Sequence, residues 1–420
     1  MGRGIRSFLL KPPPELLVLC ENRRKVAKPL LLVALLAAVL VTGCAHGDEE
    51  VSIPPLAPAA GRVDPGLGPG TRALSSGPGY KGSPDWNPTG AMISFTVDGY
   101  VMDRPTASGE PRRRTTRDFV ATDVEWTSDD ALMILGVASP SEQGAESSLY
   151  RTNADEDSLK LERVAEGVLA VSPGGEGLVF ALASGADESR LALARRGGRL
   201  YRLYANSRIG GRVVALSLSP DGDEAVMAVR PPDTPDTSEL RTFDLGEGKE
   251  REVTRLDGYR EIVGTPQWTR QGLYFVAGKQ TTSVDADGSE PLYDLYRVPA
   301  EGGAPEPAPG VGEDFVASSI RVSPDGERLA IIGRLNPKSP PNLYVLDPSA
   351  QKLTAVTANE DMEIKTGPDD LAWSPDGKNV AIIARGIPST EPEVHAEPAG
   401  TLLRDFYNLY EIPVSEVAPR

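Results

Sequence analysis

Histidine is the side chain best suited to moving protons near neutral pH, and this chain of 420 residues has only two, His46 and His395. A serine hydrolase would need His395 to serve a nucleophile on a sharp strand-to-helix turn, and no Gly-x-Ser-x-Gly string occurs. A phosphate-cradling loop, a dinucleotide fingerprint and Cys/His zinc spacing are equally missing from the sequence. Asp285-Ala-Asp287-Gly-Ser289-Glu290 begins like a calcium loop, but its twelfth position is Tyr296, where a bidentate glutamate is required. Asp221 with Asp223, and Asp233 with Asp236, read as solvated loop acids. No catalytic, cofactor-binding or metal-binding residue is assigned, and the chain reads as a non-enzyme that carries no cofactor.

What the chain does carry is one phrase, seven times over. The copies are Trp86-Asn-Pro-Thr-Gly, Trp126-Thr-Ser-Asp-Asp, Val171-Ser-Pro-Gly-Gly, Leu218-Ser-Pro-Asp-Gly, Trp268-Thr-Arg-Gln-Gly, Val322-Ser-Pro-Asp-Gly and Trp373-Ser-Pro-Asp-Gly. All four tryptophans occupy its first position, and successive copies start 40, 45, 47, 50, 54 and 51 residues apart. Periods of this length belong to propeller blades and solenoid units. In Ser374-Pro-Asp376-Gly377 the serine hydroxyl can bond a nearby amide, proline fixes φ, and glycine supplies the positive φ that closes a hairpin. Asp221-Gly222 and Asp325-Gly326 repeat that chemistry. Trp86, Trp126, Trp268 and Trp373 stand on the strand entering the turn, which makes them packing residues between units rather than a ligand cage.

Each turn leads into a short apolar run such as Val380-Ala-Ile-Ile or Leu329-Ala-Ile-Ile. Runs of this kind are strands buried on both faces. An aromatic-bearing strand follows, for example Leu343-Tyr-Val-Leu, and then a weaker fourth. Four antiparallel strands per unit predict an all-β, seven-bladed propeller over residues 76–420, with six blades as the alternative if the first or fifth copy is not a full blade. Residues 71–75 are expected to supply the outermost strand of the last blade, because little chain follows Ile412-Pro413.

The pattern Trp-Ser-Pro-Asp-Gly, a buried strand, then Leu-Tyr resembles the TolB-like propeller repeat, a relative of the WD-repeat blade. The resemblance covers residues 83–412; copies four, six and seven match closely, while copies one, two, three and five depart from Ser-Pro-Asp-Gly but keep turn-forming residues. The chain is also similar to the propeller part of actinobacterial LpqB-like lipoproteins, though it lacks the separate domain those proteins place ahead of the propeller. The resemblance implies a bacterial envelope lipoprotein that assists another membrane protein, a sensor kinase being one such partner.

The amino terminus points the same way. Arg23, Arg24, Lys25 and Lys28 precede an apolar stretch from Leu30 to Val41, followed by Thr42-Gly43-Cys44. That is a secretory signal over residues 1–43, too short to span a bilayer. Leu40-Val-Thr-Gly-Cys44 resembles the bacterial lipobox, which implies lipid attachment at Cys44. The 22 residues ahead of the basic cluster predict a translation start downstream of Met1. Residues 44–75, rich in Ala, Pro and Gly, read as a disordered tether reaching on the order of 30 Å.

The whole chain has net charge −16, and without residues 1–43 it holds 37 basic and 58 acidic residues, net −21. Such a surface repels nucleic acid and anionic lipid, so no nucleic-acid partner is expected. Six long segments join second to third strands and project from the face opposite the repeated turn; together they hold 14 acidic and 7 basic residues. Binding to an unidentified envelope protein, by a monomer on the outer side of the membrane, is assigned to these loops. Glu391, Glu393, His395, Arg404, Phe406 and Tyr407 in the longest are the candidate contacts. The competing class is a propeller enzyme of lactonase or glycan-processing type, with its site in the central channel. The positions Glu125, Gln267 and Arg321, where inner strands enter the channel, hold too few acids to favour it.

Overall fold

The computed structural model describes residues 67–414 with internal breaks, the longest being 139–145, 154–160, 280–291 and 387–405. Cys44, with the signal and most of the tether, lies outside the described residues, as do Glu391, Glu393, His395 and Arg404.

Seven antiparallel sheets form seven blades, with no α-helix among the described residues. Six blades are four-stranded meanders whose innermost strands are Lys81–Trp86, Phe119–Trp126, Val168–Gly174, Arg212–Leu218, Arg260–Thr269 and Val316–Val322. Both divergent copies, the first and the fifth, are full blades, so the count is seven. The seventh sheet is built from both ends of the propeller: Arg72–Ala73 pairs with Asn408–Pro413 through Arg72↔Glu411 and Ala73↔Tyr410. The N–H of Leu409 donates to Ser75 Oγ at 2.8 Å, and Leu67, Ala73 and Leu74 are buried. The ring is thus closed by the segment expected to close it, and the propeller begins before residue 76.

The repeated turn joins the first two strands of every blade. In five copies the N–H of the fourth turn residue donates to the carbonyl of the first: Gly90 to Asn87, Asp130 to Thr127, Gly222 to Ser219, Gly326 to Ser323 and Gly377 to Ser374. All five donors have positive φ, and Asp130 at 61° stands where glycine is usual. Two copies close differently. Pairing continues to Thr269↔Gly272 in the fifth and to Gly174↔Gly177 in the third. Neither has an aspartate at the third position to accept the first residue's hydroxyl.

Seven hydrophobic clusters lie one in each gap between neighbouring blades. The second strand of a blade feeds two of them by simple alternation. Val380, Ile382 and Ala384 face the sixth blade, while Ala381 and Ile383 face the first. That is why these strands read as continuous apolar runs. Each tryptophan packs against the preceding blade: Trp126 joins the gap between blades one and two, and Trp268 that between four and five.

Candidate functional site at the channel and its loop-side mouth

In blades one, four and five the residue just before the aligned tryptophan or aliphatic bonds to the next blade. Asp85 Oδ2 accepts the Trp126 N–H at 2.6 Å. Ser217 Oγ donates to the Pro266 carbonyl at 2.5 Å, and Gln267 Oε1 accepts the Val322 N–H at 3.0 Å. At the same position, blades two and six carry Glu125 and Arg321. The Arg321 guanidinium lies 3.8 Å from Glu125 and 3.9 Å from Asp369. Asp123, two residues before Glu125 on the same strand face, completes the group.

Four carboxylates therefore share one arginine. Burial pushes Glu125 up to about 8, with Asp85 and Asp369 adding to the rise against the pull of Arg321. Burial likewise raises Asp85 to about 6 and Asp123 well above the ordinary carboxylate range. The sequence reading, which found too few acids here, is corrected: Asp123 lies beside Glu125 on the same strand, and Asp85 and Asp369 reach it from blades one and seven once the blades are assembled. Among the described residues, no group of three or more metal-ligating side chains could hold a metal ion.

The seventh blade differs from the others at the channel. Its inner strand is split into Met362–Ile364 and Leu371–Trp373, and the residues between leave the sheet and cross the channel. Ser319 Oγ of blade six donates to the Pro368 carbonyl at 2.8 Å. Gly264 of blade five, at φ 70°, has no room for a side chain, since a Cβ there would stand 2.8 Å from Pro368. Lys365 anchors the base of the crossing, donating to the Lys81 carbonyl at 2.8 Å and to Asp370 Oδ1 at 2.9 Å. The crossing divides the loop-side mouth into recesses of about 780 and 410 Å³. A third cavity, about 450 Å³, opens on the turn side and is lined by all four tryptophans.

The larger recess has an aromatic wall. Tyr80 and Tyr407 meet edge to face at 6.2 Å, and Lys365 Nζ sits 4.1 Å from the centre of the Tyr80 ring. The Tyr407 hydroxyl donates to Glu363 Oε1 at 2.6 Å, and Arg385 donates to Glu363 Oε2 at 2.7 Å. Of the candidate loop residues, Tyr407 lines this recess and Phe406 adjoins it, its carbonyl accepting from Asn408 at 3.0 Å. Sequence reasoning missed Tyr80, Lys365, Glu363 and Asp370. Lys365 and Lys81 are 284 residues apart, and only ring closure brings them together.

No protein-family model matches the sequence, and no curated protein matches it. Solved structures do match in fold. The propeller domain of the trilobed protease from Pyrococcus furiosus is 9% identical, covers 80% of this chain and 95% of its own length, with a TM-score of 0.52. Oligogalacturonate lyase from Vibrio parahaemolyticus is 11% identical over 82% of this chain and 94% of its own, with a TM-score of 0.51. A protein assigned as TolB from Agrobacterium tumefaciens is 13% identical over 74% and 91%, at 0.41. Fold and matches together define a seven-bladed β-propeller. They also correct the expectation of a non-enzyme: one matched propeller is a lyase and another belongs to a protease, so this architecture does not set the chain apart from enzymes.

Proposed function

We propose that this chain is an extracytoplasmic propeller, lipid-anchored through Cys44, that binds a membrane-associated protein partner of the cell envelope through its loop face. The observation that carries the reading is the placement of exposed apolar side chains. Tyr80, Val120, Leu292 and Leu335 are the large hydrophobic residues left exposed among those described. Each stands at the start of a first strand or in a segment joining second to third strands. All four therefore lie on the loop face, Tyr80 and Val120 in the wall of the larger recess, and none of the large hydrophobic residues exposed among those described lies on the turn face. Loops on one face of a rigid scaffold are where binding usually sits, and exposed apolar side chains among them suit contact with a protein. The basic segment, apolar stretch and Thr42-Gly43-Cys44 junction support the anchor.

The test is site-specific photocrosslinking of the full chain in its native membranes. A photoreactive residue at Val120 is expected to give a discrete membrane-protein adduct, and one at Asp223 on the turn face none. Cys44→Ser is expected to release the chain from the membrane and abolish the adduct. Adducts from Asp223 alone, or equal adducts from both faces, would overturn the loop-face assignment.

A further inference from the structure

The larger recess has spent its own cations. Lys365 is committed to the Lys81 carbonyl, to Asp370 Oδ1 and to one side of Tyr80. Arg334, the other cation in the wall, interacts electrostatically with Glu363, and Arg385 outside the recess donates to the same carboxylate and lies 4.7 Å from the centre of the Tyr407 ring. The acids are not matched in return. Asp370 is 4% exposed, lines the recess, and has an Oδ2 that meets no hydrogen-bond donor. Asp369 reaches Arg321 only at 3.9 Å, and that arginine already serves Glu125.

A buried carboxylate oxygen without a donor is costly, and the cost falls when a donor arrives. Gly367 packs against Asp370 Oδ2, where a Cβ would stand 2.1 Å from it, so only the absence of a side chain at 367 leaves this carboxylate its place in the wall. In the same recess Tyr80 is 61% exposed, and an aromatic face of this kind attracts a cation. An anionic ligand would meet Asp98, Glu363, Asp369 and Asp370 along the wall. A neutral apolar one would leave Asp370 Oδ2 unmet.

We propose that this recess accepts a lysine or arginine side chain of the protein partner, packed on Tyr80 and held by Asp369 and Asp370. The proposal rests on the loop-face reading and adds to it the chemistry of the partner: a basic segment whose cation enters beside the channel crossing. A recess of about 780 Å³ is large enough for such a side chain and the backbone that carries it.

The test titrates the full chain in detergent with three probes: an arginine- and lysine-containing hexapeptide, the same peptide with glutamate at the basic positions, and spermine. Saturable binding of the basic peptide alone is expected. Asp369→Asn and Tyr80→Ala should each weaken it about 10-fold. Gly367→Ala, whose Cβ would collide with Asp370 Oδ2 and displace that carboxylate, should weaken it too, and Asp223→Asn on the turn face should not. Thermal melts of every variant separate lost binding from lost folding.

Binding that survives both Asp369→Asn and Tyr80→Ala, falls equally in Asp223→Asn, or extends to the acidic peptide would overturn the proposal. So would no saturable binding of the basic peptide, or tighter binding of spermine, which would mark a site for free organic cations. If Val120 crosslinks persist while the basic peptide fails to bind, only this inference falls. If crosslinks arise from Asp223 alone, the loop-face reading falls.

Discussion

On the turn face the same atoms recur from blade to blade, whereas the contacts that shape the loop-side recess and the channel crossing are each made once. The hydroxyls of Ser219, Ser323 and Ser374 donate to Asp221, Asp325 and Asp376 at 2.5, 2.5 and 2.6 Å. Gly222, Gly326 and Gly377 follow with φ of 76°, 74° and 66°. Across the disc, Lys365 on Tyr80, Glu363 on Tyr407 and the crossing at Pro368 each occur once. A contact made the same way in every blade serves what all blades need, which is packing and closure. Contacts made once, on loops held by that frame, are free to serve recognition. The tryptophans show how far the division holds: they line the turn-side cavity, yet they are buried and belong to the gaps between blades.

The strongest way to break this comparison is Trp373→Ala. Trp373 is buried between blades six and seven, its indole N–H donates to the Arg321 carbonyl at 2.8 Å, and the Arg328 guanidinium lies 5.1 Å from its ring centre. Truncation should cost about 3–5 kcal/mol of stability. Chemical denaturation measures it, with partner crosslinking from Val120 unchanged wherever the variant remains folded. A loss under about 1 kcal/mol, or a specific loss of crosslinking, would move tryptophan from frame to recognition.

The channel lies between the two regimes, and pH separates them. Glu125 has a folded-state value of about 8 against 4.5 for the free side chain, chiefly because burial penalises its charge. The folded chain thus holds a proton that the unfolded chain releases, and stability declines as pH rises from about 4.5 toward 8. Asp85 and Asp123, also raised by burial, act in the same direction. Lys81, lowered by burial to about 8, acts oppositely but only above that value. Calorimetry between pH 5 and 7.5 should show a melting temperature that falls by several degrees, and Glu125→Gln should flatten the slope. A melting temperature rising across this window would mean that Arg321 holds the channel through ionised carboxylates.

The sequence reveals the frame better than the site because the two depend on different distances along the chain. Ser374, Asp376 and Gly377 specify their turn within four residues, and Val380-Ala-Ile-Ile states its own double burial. Closure by residues 71–75 is an expectation of the sequence, and Arg72–Ala73 does pair with the last strand. At the channel, the position before the first residue of each repeated phrase is a recurring signal that points to Asp85 as well as to Glu125, Gln267 and Arg321. Asp369 has no such signal: it sits where the inner strand of blade seven is interrupted, and the residues from Lys365 to Asp370 break the period that locates the others. The mouth is hidden for the same reason, since Tyr80 and Tyr407 meet only across the closure.

The smallest expected effect tests the recurrence itself. If the turns are interchangeable parts of the frame, removing the same carboxylate from two of them should cost the same twice. Asp221 and Asp376 each accept a serine hydroxyl and the N–H two residues on, from Asp223 at 3.3 Å and Lys378 at 3.1 Å. These hydrogen bonds, the serine's foremost, hold both carboxyls below the ordinary range, as expected for an acceptor that works ionised. Asp221→Ala and Asp376→Ala should each destabilise by about 1 kcal/mol in denaturant titrations, a modest loss because both turns face water. Blades four and seven share no cluster, so the double variant should lose the sum within about 0.5 kcal/mol. Unequal single losses would show that the copies are not equivalent. A double loss well beyond the sum would show that the ring, rather than the hairpin, is the unit these turns stabilise.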